Sequence, residues 1–266
     1  MRDYHVHSNF SDDCFQQPLS FACNTARSLG LKEIAFTEHI DIDYPVEKGA
    51  FQLDYEGYAE EIAKVRPLFP DLKIIRGLEL GLQTGISDKM HQYLKSHEFE
   101  FVIGSVHVVD NIDLFSGEFT KEKTPEDAYR RYFEYLLACL NEYDEFHVLG
   151  HFDLIRRYGK FDKESIDNSN SEEIIIEILQ HIIEKGIGLE INTSGWRYGV
   201  DDFLPGEKLL KLYRSLGGEV ITFGSDAHRP EHIGFQFKEA FSLARDVGFK
   251  YYSRFKLGKP EFISIP

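Results

Sequence analysis

The chain has 266 residues, 42% hydrophobic and 28% charged, with a formal net charge of −15. That length suits one α/β barrel with a core large enough to need no disulfides. The acidic balance and the lack of a Lys/Arg cluster argue against nucleic acid as a partner, and no run of about 18 apolar residues marks a membrane span.

The three cysteines, Cys14, Cys23 and Cys139, form no CxxC pair and are odd in number. A reduced cytoplasmic protein is the expectation, and the opening residues carry no apolar signal region. Short apolar runs at 3–7, 33–37, 73–80, 100–107, 146–151, 188–193 and 219–225 read as strands buried on both faces. Helices are expected near 18–29, 54–66, 87–97, 125–142, 171–185, 206–216 and 231–247. Ser87 and Thr124 are candidate N-caps, with Pro125 at the first helical position. Gly30, Gly186 and Gly217 stand where helices stop. Seven β-then-α units in series imply a parallel sheet in a single domain spanning 1–266. A last strand at 261–265 would close or flank it, and the polar stretch 162–173 reads as a surface loop entering a helix.

The 11 histidines carry the functional signal. His5, His7, His39, His107, His151 and His228 fall at or just past strand ends, as do Glu38, Glu79, Asp153, Glu190 and Asp226. In a β/α barrel, catalytic groups project from the C-terminal ends of several strands, so these scattered residues would converge. His5 and His7 lie two apart and share a face of their strand. Glu79 sits in an apolar strand, where an acid needs a metal or a partner, Arg76 being the alternative. Asp226 and His228 follow a short apolar strand. Imidazoles with carboxylates suit zinc, iron or manganese. Arg156, Arg157 and Arg197 follow strand ends and would hold an oxyanion by bidentate bonds. His91, His97 and His181 fall on helices, His147 falls at the opposite barrel end, and His232 stands beside the site.

His5-x-His7-Ser8, Thr37-Glu38-His39, Glu79, His107, Gly150-His151-x-Asp153 and Ser225-Asp226-Ala227-His228 together resemble the ordered motifs of the PHP (polymerase and histidinol phosphatase) superfamily. Within it, the segments from Gly150 to Arg156 and from Glu190 to Arg197 resemble the monofunctional histidinol-phosphate phosphatases. The resemblance implies a distorted (β/α)7 TIM-like barrel with three divalent metal ions at the C-terminal ends of its strands. It implies that His5, His7, Glu79 and Asp226 hold one ion. Glu79 would bridge to a second, held also by His107 and His151, and Asp13, His39 and His228 would hold a third. Asp12 is the rival for Asp13.

The expected reaction is hydrolysis of a small phosphate monoester, L-histidinol phosphate first among them, as a step of histidine biosynthesis. Arg197, with Arg156 or Arg157, would bind the phosphoryl group, and Asp153 or His228 would serve the leaving oxygen. Asp41, Asp43, Tyr44 and Glu118 are candidates for recognising the rest of the substrate. Alternatives are another small phosphate ester, such as a nucleotide or sugar phosphate, a nuclease, or a non-enzymatic metal-binding protein.

Overall fold

The computed structural model describes residues 1–47, 49–159, 161, 166 and 169–266. The apolar runs become a seven-stranded parallel sheet in the order β1 (Arg2–Val6), β2 (Glu33–Ile40), β3 (Lys73–Gly81), β4 (Phe101–Ser105), β7 (Val148–Leu149), β8 (Gly188–Asn192) and β9 (Ile221–Gly224). The last strand returns to the first. Val6 and Ala227 form a parallel bridge, Asp226 N donates to His5 O at 2.8 Å, and His7 N donates to Ala227 O at 3.0 Å. The sheet is therefore a nearly closed TIM-like barrel, which sends the C-terminal strand ends to one mouth.

The helices are α1 (Leu19–Ser28), α2 (Tyr55–Val65), α3 (Ser87–Ser96), α4 (Pro125–Glu142), α5 (Glu172–Lys185), α6 (Glu207–Ser215) and α7 (Phe237–Val247). Thr124 caps α4, its side chain accepting from Asp127 N at 3.1 Å, with Pro125 leading the helix. Ser87 is the first helical residue of α3 and makes no cap bond, Ile86 holding the N-cap position. Gly186 ends α5 at φ 73°, a left-handed conformation that costs glycine little.

The strand expected at 146–151 narrows to two residues, because Gly150 to Asp153 turn away to serve the mouth. Helix α7 begins at Phe237, six residues later than expected. Pro230 opens a short 3-10 turn, and Gly234 and Gln236 have φ 64° and 55°, which interrupts the helix. Of the expected loop 162–173, residues 162–165, 167 and 168 lie outside the described residues.

The strand expected at 261–265 does not close the barrel. It is β11 (Lys259–Ser264), paired antiparallel with β10 (Tyr251–Lys256), and β10 gave no clear signal in the sequence. This hairpin covers the N-terminal end. Phe255 packs with Tyr4 and Phe101 in a buried cluster with Ala35, Ile75, Ile103 and Val148. His147 joins it, its ring 5.1 Å from that of Phe255. This end of the barrel is thus filled largely by apolar side chains, and the histidine–carboxylate cluster lies at the other. A second small hairpin, β5 (Val108–Val109) and β6 (Ile112–Asp113), rises beyond β4 beside that mouth.

Candidate metal centre

His5 and His7 leave β1 on one face, their Nε2 atoms 3.1 Å apart. Glu79, on β3 and fully buried, meets them with Oε2, which lies 3.1 Å from His5 Nε2 and 3.3 Å from His7 Nε2. Its other oxygen faces different residues. Oε1 lies 2.8 Å from His151 Nε2 and 3.2 Å from His107 Nε2. Asp226 follows β9, and its Oδ1 lies 3.6 Å from His7 Nε2 and 3.9 Å from His5 Nε2. Its backbone has φ 53°, a sparsely populated conformation held by the bond from its N–H to His5 O. His39 spans two groups, with Nδ1 3.1 Å from Glu79 Oε2 and Nε2 3.5 Å from Asp13 Oδ2. Asp13 also lies 3.1 Å from His228 Nε2. The rival Asp12 turns away and accepts from Phe51 N.

Burial opposes ionisation of Glu79, yet the surrounding imidazoles of His5, His39 and His107 hold its carboxyl well below the usual range. Burial likewise opposes charge on Asp226, and His7, His5 and Arg157 outweigh it. His5, His107 and His228 are buried, which disfavours their charged forms, but neighbouring carboxylates raise their pKa values. The residues test well as cation ligands. Glu79 Oε2, His39 Nδ1 and His228 Nε2 are buried atoms that make no hydrogen bond. Three overlapping groups, His5–His7–Glu79, His39–Glu79–His107 and His7–His39–His228, each bring ligand atoms within 4.8 Å of one another. Imidazole nitrogens and carboxylate oxygens crowded together, three of them without hydrogen bonds, are the donor set of a borderline divalent cation.

Above the cluster opens a cavity of about 720 Å³. Arg157 and Arg197 line it, with His39, His107, His151, Asp226 and His228 at its floor. Arg157 Nη1 binds Asp226 Oδ2 at 3.0 Å, and its guanidinium lies 3.6 Å from the Tyr198 ring centroid. Arg197 Nη2 donates to the carbonyls of Ser225 and Asp226, both at 2.8 Å, while its Nη1 is buried without a hydrogen bond.

Not every expected residue reaches this cavity. Asp153 and Arg156 bind each other at 3.0 Å, Arg156 extends to Asp202 at 3.1 Å, and neither lines the cavity. The reason is local: Arg156 sits three residues after Asp153 on a 3-10 turn, which aims the two side chains at one another. Of the two expected proton donors, only His228 lines the cavity. Arg76, the alternative partner for Glu79, lies 3.7 Å from Glu98 instead. Asp41 and Tyr44 line the cavity, whereas Asp43 pairs with Lys89 and Glu118 with Lys121. His91 and His181 pair with Glu145 and Asp144 outside the site.

The sequence reading missed Arg229, Phe51 and Asp113, all in the cavity wall. Arg229 was within reach of it, since it follows His228 directly. Phe51 comes from a loop and Asp113 from the two-residue strand β6, and neither position carries a local signal.

A nearly closed parallel barrel with histidines and carboxylates gathered at its C-terminal mouth defines a class of metal-centred α/β barrels. Residues 3–194 match the family model described as PHP domain, and the chain belongs to the PHP family. A curated histidinol-phosphatase of Lactococcus lactis is 35% identical over 95% of this chain and 93% of its own length. A crystal structure of histidinol phosphate phosphatase from that organism, complexed with zinc, L-histidinol and phosphate, superposes with TM-score 0.89. It is 33% identical and covers 98% of both chains. A structure from Listeria monocytogenes, at TM-score 0.79 and 19% identity over 90% of this chain and 99% of its own, adds likeness of fold alone.

Proposed function

We propose that this protein is a histidinol-phosphatase, hydrolysing L-histidinol phosphate to L-histidinol and inorganic phosphate. One observation carries the reading. The His–carboxylate cluster shares one cavity with Arg157 and Arg197, in a chain 33% identical to a structure complexed with zinc, L-histidinol and phosphate. In this reading His5, His7, Glu79 and Asp226 hold one divalent ion. Glu79, His107 and His151 hold a second, and Asp13, His39 and His228 a third. The division of the two Glu79 oxygens between different histidines supports a bridging role. Zinc is the metal favoured by the Lactococcus structure, with iron and manganese accepted by the same donors.

Bound divalent ions would lower the pKa of a water at the cavity floor and polarise phosphoryl oxygens. The chain's own groups do the rest. Arg197 presents its free Nη1 to the phosphate while its Nη2 stays fixed to backbone carbonyls. Arg157 is held flat by Tyr198 and anchored on Asp226, so little side-chain freedom is lost on binding. Both place positive charge where the transferring group gathers negative charge. One imidazole nitrogen cannot both bind an ion and donate a proton, and we assign His228 to the ion.

We read residues 1–266 as one functional domain acting in the cytoplasm on a small phosphate ester, within histidine biosynthesis. Among the described residues no helix is long and apolar enough to cross a membrane, and the net charge of −15 opposes nucleic acid. Steady-state kinetics on L-histidinol phosphate against nucleotide, sugar and aryl phosphates test the substrate. We expect kcat/KM for histidinol phosphate to exceed the others by on the order of a hundredfold or more. Equal values across the panel would replace this reading with a broad phosphoesterase.

A further inference from the structure

Around the cluster lie three further buried carboxylates, of which Asp41 also borders the cavity. Glu38, Asp41 and Glu190 are 0%, 3% and 1% exposed. Such burial of acids needs a reason. Each addresses the outer nitrogen of a cluster histidine. Glu190 Oε1 accepts from His5 Nδ1 at 2.7 Å, and its Oε2 accepts from His151 N and Asn192 Nδ2 at 2.8 and 3.0 Å. Both Asp41 oxygens lie 3.1 Å from His107 Nδ1.

Glu38 acts through a hydroxyl. Ser11 Oγ donates to Glu38 Oε2 at 2.6 Å and accepts from His39 N at 3.1 Å. Its one hydrogen is committed, so His7 Nδ1, 3.1 Å away, must be the donor in that contact. Ser8 completes the anchor, its N and Oγ donating to Glu38 at 3.0 and 2.6 Å.

The backbone makes room for two of these acids. A β-carbon at Gly81 would lie 2.0 Å from Asp41 Oδ1, and one at Gly224 would lie 1.9 Å from Glu190 Oε1. Glycine at these strand positions lets the carboxylates approach the histidines.

We propose that Glu38 (through Ser11), Asp41 and Glu190 are positioning residues that fix the Nδ1–H tautomers of His7, His107 and His5 and thereby set the metal affinity of the centre. The inference rests on the metal-centre reading above. A neutral imidazole carries one N–H. With it committed outward, the Nε2 lone pairs of all three rings point inward at Glu79. Charge agrees. Three divalent ions bring a formal +6, and Glu79, Asp226 and Asp13 return −3. The outer layer supplies a further −3, so the loaded centre is formally neutral and Arg157 and Arg197 are left for a dianionic phosphate.

The test is zinc retention by Ser11→Ala, Asp41→Asn and Glu190→Gln proteins against a chelator series, with the melting temperature of each metal-free form. We expect zinc to be lost about 10–100-fold more readily than from wild type. In the metal-free form Asp41 and Glu190 pair with the imidazoles of His107 and His5, so their amide variants should melt somewhat lower, while Ser11→Ala should melt near wild type and still lose zinc, so that zinc loss does not track the melting temperature across the three. Ser11→Thr, which keeps the hydroxyl, should restore retention. Nitrogen-15 shifts of the metal-free protein should show Nδ1–H at His5, His7 and His107. Wild-type zinc retention in all three variants would overturn the proposal. So would metal-free melting temperatures falling in step with zinc loss, which marks a merely structural role. Should Asp41→Asn or Glu190→Gln fail to fold, the Ser11→Ala and Ser11→Thr pair decides alone. A wild-type protein that retains no divalent ion would overturn the metal-centre reading itself.

Discussion

Arg157 Nη1 lies 3.0 Å from Asp226 Oδ2, while Oδ1 of the same carboxylate faces His7 Nε2 at 3.6 Å. A single side chain thus joins the arginine of the cavity wall to the imidazole cluster of its floor. Changes at either residue are felt by the other, and Arg157 and Arg197 should behave differently.

Arg157→Ala should lower kcat/KM for histidinol phosphate by roughly tenfold to a thousandfold, on the order of 1.4–4 kcal/mol of transition-state stabilisation. Metal content should hold, because freeing Asp226 of a cation leaves it a better ligand. Arg157→Lys should recover part of the rate, since an ammonium lacks the planar fork that stacks on Tyr198. Kinetics and elemental analysis of the same samples check this; unchanged kcat/KM in Arg157→Ala removes the residue from the phosphate site.

Arg197→Ala should lose both rate and metal. Its Nη2 holds the carbonyls of Ser225 and Asp226, the turn that carries one ligand and leads to His228. The expected signature is a fall in kcat/KM of at least about tenfold, with weaker inhibition by inorganic phosphate and a lowered metal content. An Arg197→Ala protein with wild-type inhibition by phosphate would contradict the assignment.

Glu79→Gln and Asp226→Asn should each strip metal and nearly all activity. Glu79 is central because its two oxygens serve different histidines. The amide of Gln keeps the shape but offers one weak acceptor where two anionic oxygens stood. Metal analysis and activity of purified variants check the prediction, and a Glu79→Gln enzyme that keeps its full metal complement would argue against a bridging carboxylate.

Acid stability should respond to His147, far from the metal centre. Burial lowers its pKa from 6.5 to about 4, and its Nδ1, which accepts from Val102 N, must be unprotonated to do so. A histidine depressed in the folded state binds more protons when unfolded. Its contribution is therefore complete above pH 6.5 and is lost progressively as pH falls toward 4. Wild type should lose more stability than His147→Gln between pH 7 and pH 5 in urea titrations. Equal losses would show that His147 does not titrate differently on folding.

Much of this was legible in the sequence, because strand-end placement is local information. His5, His7, His39, Glu79, His107, His151, Asp226 and His228 lie at or beside strand ends that apolar runs mark out, and barrel topology makes such ends converge. Asp153 and Arg156 misled for the same reason. They too follow a strand, but a 3-10 turn pairs them with each other, and turn geometry is not written in residue type. The strand Tyr251–Lys256 was missed because its pattern of exposed and buried residues belongs to a covering hairpin and not to the barrel wall. Asp41 lines the cavity and also meets His107, and that second contact depends on the space left by Gly81, a packing relation that residue type does not carry.

The most direct test is metal-resolved turnover of L-histidinol phosphate. Protein stripped by chelation, with absence of metal verified by elemental analysis, should release no phosphate from it. Stepwise return of zinc should restore activity in proportion to bound metal, reaching its limit near about three equivalents per chain. Full turnover by the stripped protein would contradict the account.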